Sequence, residues 1–355
     1  MNNIKENKIN LIEFNYLRAI GIFLVVLGHS FPYIDETNFQ LYKYIHSLIY
    51  SFHMPLFIMI SGFFAYKILT INSFKQYKLF ISSKFKKLMI PYFTISFLTI
   101  PIKFILNKFS ERAVVLSEVL IDIFLYPWNN PIIFFWFIYV LFLMFLFSPI
   151  VVKLNKYIVL SLFFVLSIIP MNNIQFMGIT TTLKYSIFFF IGVYLRDYYM
   201  KNRNVFFNFK FKQIRSIFLR SIFLILIPYI IFILNINVTL NNQNPLSLTL
   251  SNFLYILKAL LGIYISFVNC IIIYKFKPFK KLGFVLEKIS YYSFDIYLLS
   301  WFPQIFCRII FYQIFNLNYH LVVLISLILG FSPIIISKFI LRNFNFTKKI
   351  ILGIN

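Results

Sequence analysis

Long apolar stretches alternate with short polar ones along the whole chain, and this pattern predicts the architecture. A helix needs about 20 mostly apolar residues to cross roughly 30 Å of hydrocarbon. Segments of that character run near 14–33, 48–69, 88–106, 132–152, 157–171, 183–199, 217–234, 253–274, 289–311 and 320–341, the fifth and sixth being short. The fold expected is all-α, a polytopic membrane helix bundle of about ten transmembrane helices. A single domain is expected over 1–355, with short tails at 1–12 and 343–355. The interlude at 110–130 spaces Glu111, Glu118 and Asp122 among apolar residues at near-helical intervals. It fits either an amphipathic surface helix or a solvated loop.

Charge gives the bundle a direction. The interlude after the second span holds Lys67, Lys75, Lys78, Lys84, Lys86 and Lys87, and the one after the sixth holds Arg196, Lys201, Arg203, Lys210, Lys212 and Arg215. Lys275, Lys277, Lys280, Lys281 and Lys288 follow the eighth, and Lys338, Arg342, Lys348 and Lys349 accompany the end of the tenth. The alternate interludes "MNNIQFMGITTT" and "NINVTLNNQNP" hold no Lys or Arg, and "PYIDETNFQLY" carries Asp35 and Glu36. Short loops rich in Lys and Arg stay on the cytoplasmic side. Both termini are therefore predicted to be cytoplasmic, which an even number of spans requires.

Composition agrees. The chain is 61% hydrophobic and 21% aromatic, with a mean hydropathy of +0.83, which points to a multi-pass membrane protein with the lipid bilayer as its surroundings. The net charge of +24 would indicate nucleic acid in a soluble protein. Its segregation into alternate loops removes that reading, and no nucleic acid partner is expected. The N-terminus lacks a short apolar core followed by a small-residue cleavage site, so the first span is expected to be retained. Cys270 and Cys307 have no CxxC partner and no histidine neighbour, so neither a disulfide framework nor a metal site is expected.

The costly residues lie in the first span, "NYLRAIGIFLVVLGHS". Arg18 and His29 are eleven residues apart, which is three turns plus about 20°, so they share a helix face about 16 Å apart along the axis. Ionisable groups at membrane depth usually face a polar cavity. Alternatively, Arg18 snorkels to the headgroups and His29 is a hydrogen-bonded packing residue. The shared face suits a long, thin, partly anionic substrate. An acyl-CoA fits that description, its phosphates at the cytoplasmic mouth and its pantetheine arm carrying the thioester inward along a polar passage from Arg18 to His29. His53, in "YSFHMPLFIMISGFF", is predicted at a depth near that of His29, and Pro55 and Gly62 let that helix bend and pack closely. His46 and His320 also fall at outer span ends, where interfacial hydrogen bonding accounts for them.

The order of "NYLR" with Arg-x10-His, "FHMPLFIMISGFF", "KFKKLMIPY", "FWFIYVLF", "FFFIGVYLR" and "ISYYSFDIYLL" resembles membrane acyltransferase family three. The chain is similar to its fucose 4-O-acetylase-like branch. That resemblance implies O-acylation of sugars of surface polysaccharides, with the Arg and His of the first span as the functional pair, here Arg18 and His29. Asn15 stands where many members have Asp, and Ser300 where many end the late motif with His.

The function expected is transfer of an acyl group, acetyl by preference, from cytoplasmic acyl-CoA to a sugar hydroxyl of a surface or lipid-linked glycan. No bound cofactor is expected; acetyl-CoA is the donor substrate. His29 is the general base on the acceptor, or carries the acyl group in two steps, and Arg18 binds donor phosphate or the thioester region. Lys84, Lys86 and Lys87 either assist at the mouth or are ordinary positive-inside charge. Trp136, Tyr139 and Trp301 either stack on sugar or serve as anchors and packing. His53 and Asn15 complete the expected substrate-binding set. A glycan-precursor transporter and a non-catalytic subunit of a polysaccharide synthase remain the alternatives.

Overall fold

A computed structural model describes residues 11–31, 40–109, 115–171, 175–207 and 244–354. The predicted span at 217–234 lies outside the described residues, as do Asp35, Glu36, Glu111, Lys210, Lys212 and Arg215. The described residues form α1 (Ile12–Gly28), α2 (Gln40–Phe64), α3 (Phe74–Lys84), α4 (Ile90–Ile105), α5 (Leu116–Leu125), α6 (Trp136–Val151), α7 (Lys156–Ile168) and α8 (Ile179–Phe207). After the undescribed segment come α9 (Pro245–Lys275), α10 (Lys280–Tyr291), α11 (Ser293–Leu299), α12 (Trp301–Cys307), α13 (Tyr319–Leu329), α14 (Pro333–Ile336) and α15 (Asn345–Ile350). No strand occurs among the described residues.

Among the described residues, six helices are long and apolar enough to cross a membrane: Leu41–Thr70, Phe74–Ile105, Ile133–Val151, Phe176–Asn204, Pro245–Lys275 and Tyr319–Leu341. The pair Ser293–Leu299 and Trp301–Ile314, bent by 46°, makes a seventh if it forms one span. The first predicted span is shorter than expected, because α1 ends at Gly28 and has 17 residues; α7 has 13. The basic run "KFKKLM" also differs from its expected place in a loop. Ser73 caps α3 by accepting from Gln76 N, and a π-turn at Phe85–Met89 carries the helix through into α4. Lys84 and Lys87 thus stand on a continuous helix, at a local widening of the kind often found beside functional sites. The amphipathic segment is helical over Leu116–Leu125, burying Val119 and Ile123.

Two glycines set the closest helix contact. A Cβ on Gly62 of α2 would overlap the Phe189 carbonyl, and one on Gly192 of α8 would overlap the Met59 carbonyl. Membrane helices gain no hydrophobic drive from each other, so such backbone proximity is how they pack. Phe63, Tyr92, Phe135 and Phe188 to Phe190 fill the interior around this contact.

Two buried acids tie distant elements together at one end of the bundle. Glu13 accepts from Tyr199 Oη at 2.7 Å and from Arg203 Nε and Nη2 at 3.0 and 3.1 Å, joining the start of α1 to the end of α8. Asp295 on α11 accepts from Ser337 Oγ and lies 2.8 Å from both Nε and Nη2 of Arg342. This arrangement holds the chain after α14 against α11.

Candidate functional site

Arg18, Lys84, Lys87, Asp295 and Arg342 converge at that basic end around a cavity of about 370 Å³. The π-turn swings Lys84 and Lys87 to the same opening. Arg18 is half-buried on α1 with its guanidinium carbon 4.3 Å from the Phe64 centroid, and Lys84 Nζ stands 4.0 Å over Phe145. Both contacts favour a cation electrostatically. Neither they nor Lys87 meets a carboxylate among the described residues. The acid in the wall, Asp295, is engaged by Arg342, so three positive charges face the space without a protein counter-charge. One side is closed by Ile354. Its segment is held where Gly353, at φ +60°, lies so close to the Lys87 and Lys86 carbonyls that a Cβ would come within 2.6 and 2.8 Å of them. A side chain is excluded there both by space and by the left-handed backbone.

His29 follows the last residue of α1 and caps it with its backbone amide. The end of this helix is fixed by a hydrogen-bond network: Ser30 Oγ donates to the Val26 carbonyl at 2.7 Å, and Gln304 Nε2 donates to Val26 O at 2.8 Å and Ser30 Oγ at 3.1 Å. The His29 ring packs 4.8 Å from Phe134 and 6.2 Å from Tyr50, centroid to centroid. Buried His53 donates Nδ1–H to the Ile49 carbonyl at 2.7 Å. Since a carbonyl can only accept, Nε2 is left as the open position of the neutral ring.

The expected polar passage takes a different form. His29 does not line the basic cavity, whose inner wall includes Phe57, Phe137 and Tyr297. The Tyr297 ring lies 5.3 Å from Phe134 and donates its hydroxyl to the Phe134 carbonyl, so two aromatic rings separate cavity from imidazole. Gly21 allows this closure: a Cβ there would come within 2.8 Å of Phe57 Cζ.

Of the other candidates, Lys84 and Lys87 join Arg18, and His53 joins His29 through their shared neighbour Tyr50. Asn15 stands one turn before Arg18 on α1 but does not line the cavity. Trp136 is buried and stacked on Trp128 at 4.4 Å, and Tyr139 donates its hydroxyl to the Phe124 carbonyl at 2.9 Å, so both occupy packing positions. Trp301 lies under Lys103 Nζ at 5.8 Å. His320, expected at an interface, is hydrogen-bonded to Tyr42 at 2.6 Å, whereas His46 stacks on Tyr50 and so belongs to the surroundings of His29.

The acyltransferase-3 family model, described as an acyltransferase domain, matches residues 11–338. The chain belongs to this acyltransferase family. The match runs from the start of α1 beyond Asp295, and so includes Arg18, His29, Lys84 and Lys87. Nodulation protein NolL of Sinorhizobium fredii (strain NBRC 101917 / NGR234) is 47% identical over 57 residues, which is 15% of this chain and 15% of NolL. No solved structure matches.

Sequence reasoning missed Glu13, Tyr50, Asp295, Gln304 and Arg342. Asp295 carried the clearest signal, an acid inside the apolar run "SFDIYLL".

Proposed function

We propose that the protein transfers an acetyl group from acetyl-CoA, held in the basic cavity, to a sugar hydroxyl of a surface or lipid-linked glycan at the His29 end. The observation that carries this reading is the convergence of Arg18, Lys84 and Lys87 on one cavity with no carboxylate among the described residues left to neutralise them. A guanidinium presents a planar fork to phosphate oxygens, and the two ammonium groups add point charge. The family match supports the acyl-transfer chemistry. The basic end then faces the cytoplasm of a bacterial plasma membrane, where acyl-CoA is available.

His29 takes the proton of the acceptor hydroxyl as its oxygen attacks the thioester carbonyl. The new C–O bond replaces C–S, and the proton passes to the departing thiolate. A well-placed base of this kind contributes about 10² to 10⁴ in rate. Because the Tyr297 and Phe134 rings separate cavity from imidazole, the pantetheine arm reaches His29 only when these rings part.

The test incubates membranes holding the protein with radiolabelled acetyl-CoA and base-deacetylated envelope glycan of the producing cells. His29→Ala is expected to insert normally and lose label transfer. Transfer at the wild-type rate in that variant would refute the role of His29.

A further inference from the structure

Most interior tyrosines spend their hydroxyls on the protein: Tyr92 donates to the Ile123 carbonyl, Tyr139 to that of Phe124, Tyr297 to that of Phe134, and Tyr199 to Glu13. Tyr50 does not. Its hydroxyl has no partner among the described residues, and the residue is 37% exposed although three imidazoles surround its ring. His46 stacks on it at 3.9 Å, His53 meets it edge-on at 4.8 Å, and His29 edge-on at 6.2 Å. These positions follow from sequence spacing. Residues 46, 50 and 53 share one face of α2, and the same face continues through Phe57, Ser61 and Phe64, which line the basic cavity. Gly28 admits the ring to the end of α1, since a Cβ there would come within 3.1 Å of Tyr50 Cε2.

We propose that Tyr50, steadied by His46, is an acceptor-binding residue whose hydroxyl holds a neutral sugar through a hydroxyl adjacent to the one that His29 deprotonates. This rests on the transfer reading above. The ligand class follows from the donor set. Tyr50 Oη donates and accepts, His53 Nε2 accepts, and among the described residues the tyrosine ring is bordered by imidazoles rather than by Lys, Arg, Asp or Glu. Such a set binds alcohols and offers an ionised group no counter-charge. Two neighbouring sugar hydroxyls then meet two fixed groups, one on α2 and one at the end of α1, and the pair sets which hydroxyl is acylated.

The experiment uses the full chain in detergent or nanodiscs, with radiolabelled acetyl-CoA and two acceptor probes: base-deacetylated envelope glycan of the producing cells, and octyl glycosides. Tyr50→Phe removes one oxygen and leaves the ring packing intact. Losing one hydrogen bond to substrate is expected to raise the acceptor KM about five- to tenfold, with the acetyl-CoA KM unchanged. His46→Ala, which frees the Tyr50 ring, should raise the acceptor KM in the same direction. An unchanged acceptor KM in Tyr50→Phe overturns the proposal, as does an equal fall in kcat with both substrates at unchanged KM. A wild-type protein that transfers nothing, alongside an equally inert His29→Ala, overturns the transfer reading and this one with it.

Discussion

Replacing Arg18 separates a phosphate-binding cavity from a merely basic one. Arg18 makes no hydrogen bond to the protein among the described residues; its contact is the face of Phe64 at 4.3 Å, and its guanidinium opens on the cavity shared with Lys84 and Lys87. A charge-assisted hydrogen bond contributes about 1.5–3 kcal/mol, and about 1.4 kcal/mol is tenfold in affinity. Arg18→Ala should therefore weaken CoA binding by roughly 10- to 100-fold. Lys keeps the charge but loses the two-pronged contact, so Arg18→Lys should weaken it by about five- to tenfold. Lys84 and Lys87 remain in both variants, so residual binding should persist and should still weaken with added salt. Titration of CoA into purified protein in nanodiscs measures this directly, with thermal unfolding as the control for folding. The unfolding temperature should move little, since only the ring contact is lost. Wild-type CoA affinity in both variants would mean that Arg18 sits among lipid headgroups and binds no donor, refuting the reasoning.

The remaining predictions concern the frame and its direction. Glu13→Gln leaves Arg203 without its buried partner; because the Arg203 side chain is 30% exposed, the cost should lie near the low end for such pairs, about 3 kcal/mol, read as a lowered unfolding temperature in detergent. Adding Arg203→Gln to that variant should restore part of the loss. Lys75→Cys should react with a membrane-impermeant maleimide only in permeabilised cells; labelling in intact cells would invert the sidedness proposed here.

Much of the bundle was legible in the chain because crossing a membrane is a local matter. Each segment must be apolar over its own length and satisfy its own backbone hydrogen bonds as a helix, so hydropathy alone marks the helices around 48–69, 132–152, 253–274 and 320–341. Arg18 and His29 were legible for the same reason, since a charged or polar side chain in such a segment stands out against its neighbours. Helix ends were less so: α1 stops at Gly28, held there by Gln304 from far along the chain, and the "KFKKLM" run continues as helix through a π-turn where its charge implied a loop.

What the charges and rings do to each other was decided only by tertiary packing. Arg342 reaches Asp295 across 47 residues and thereby leaves Arg18, Lys84 and Lys87 facing the cavity with no carboxylate partner among the described residues. Glycines 62 and 192 bring α2 and α8 into backbone contact, Gly21 seats Phe57 in the cavity wall, and Gly28 admits Tyr50 beside His29. Trp136 and Tyr139, read as sugar platforms or packing from residue type, are buried because α6 turns them inward. Hydropathy is a sum over single residues and survives in one dimension. The relative rotation of two helices depends on which small residues let their backbones touch, and that is a property of pairs of segments.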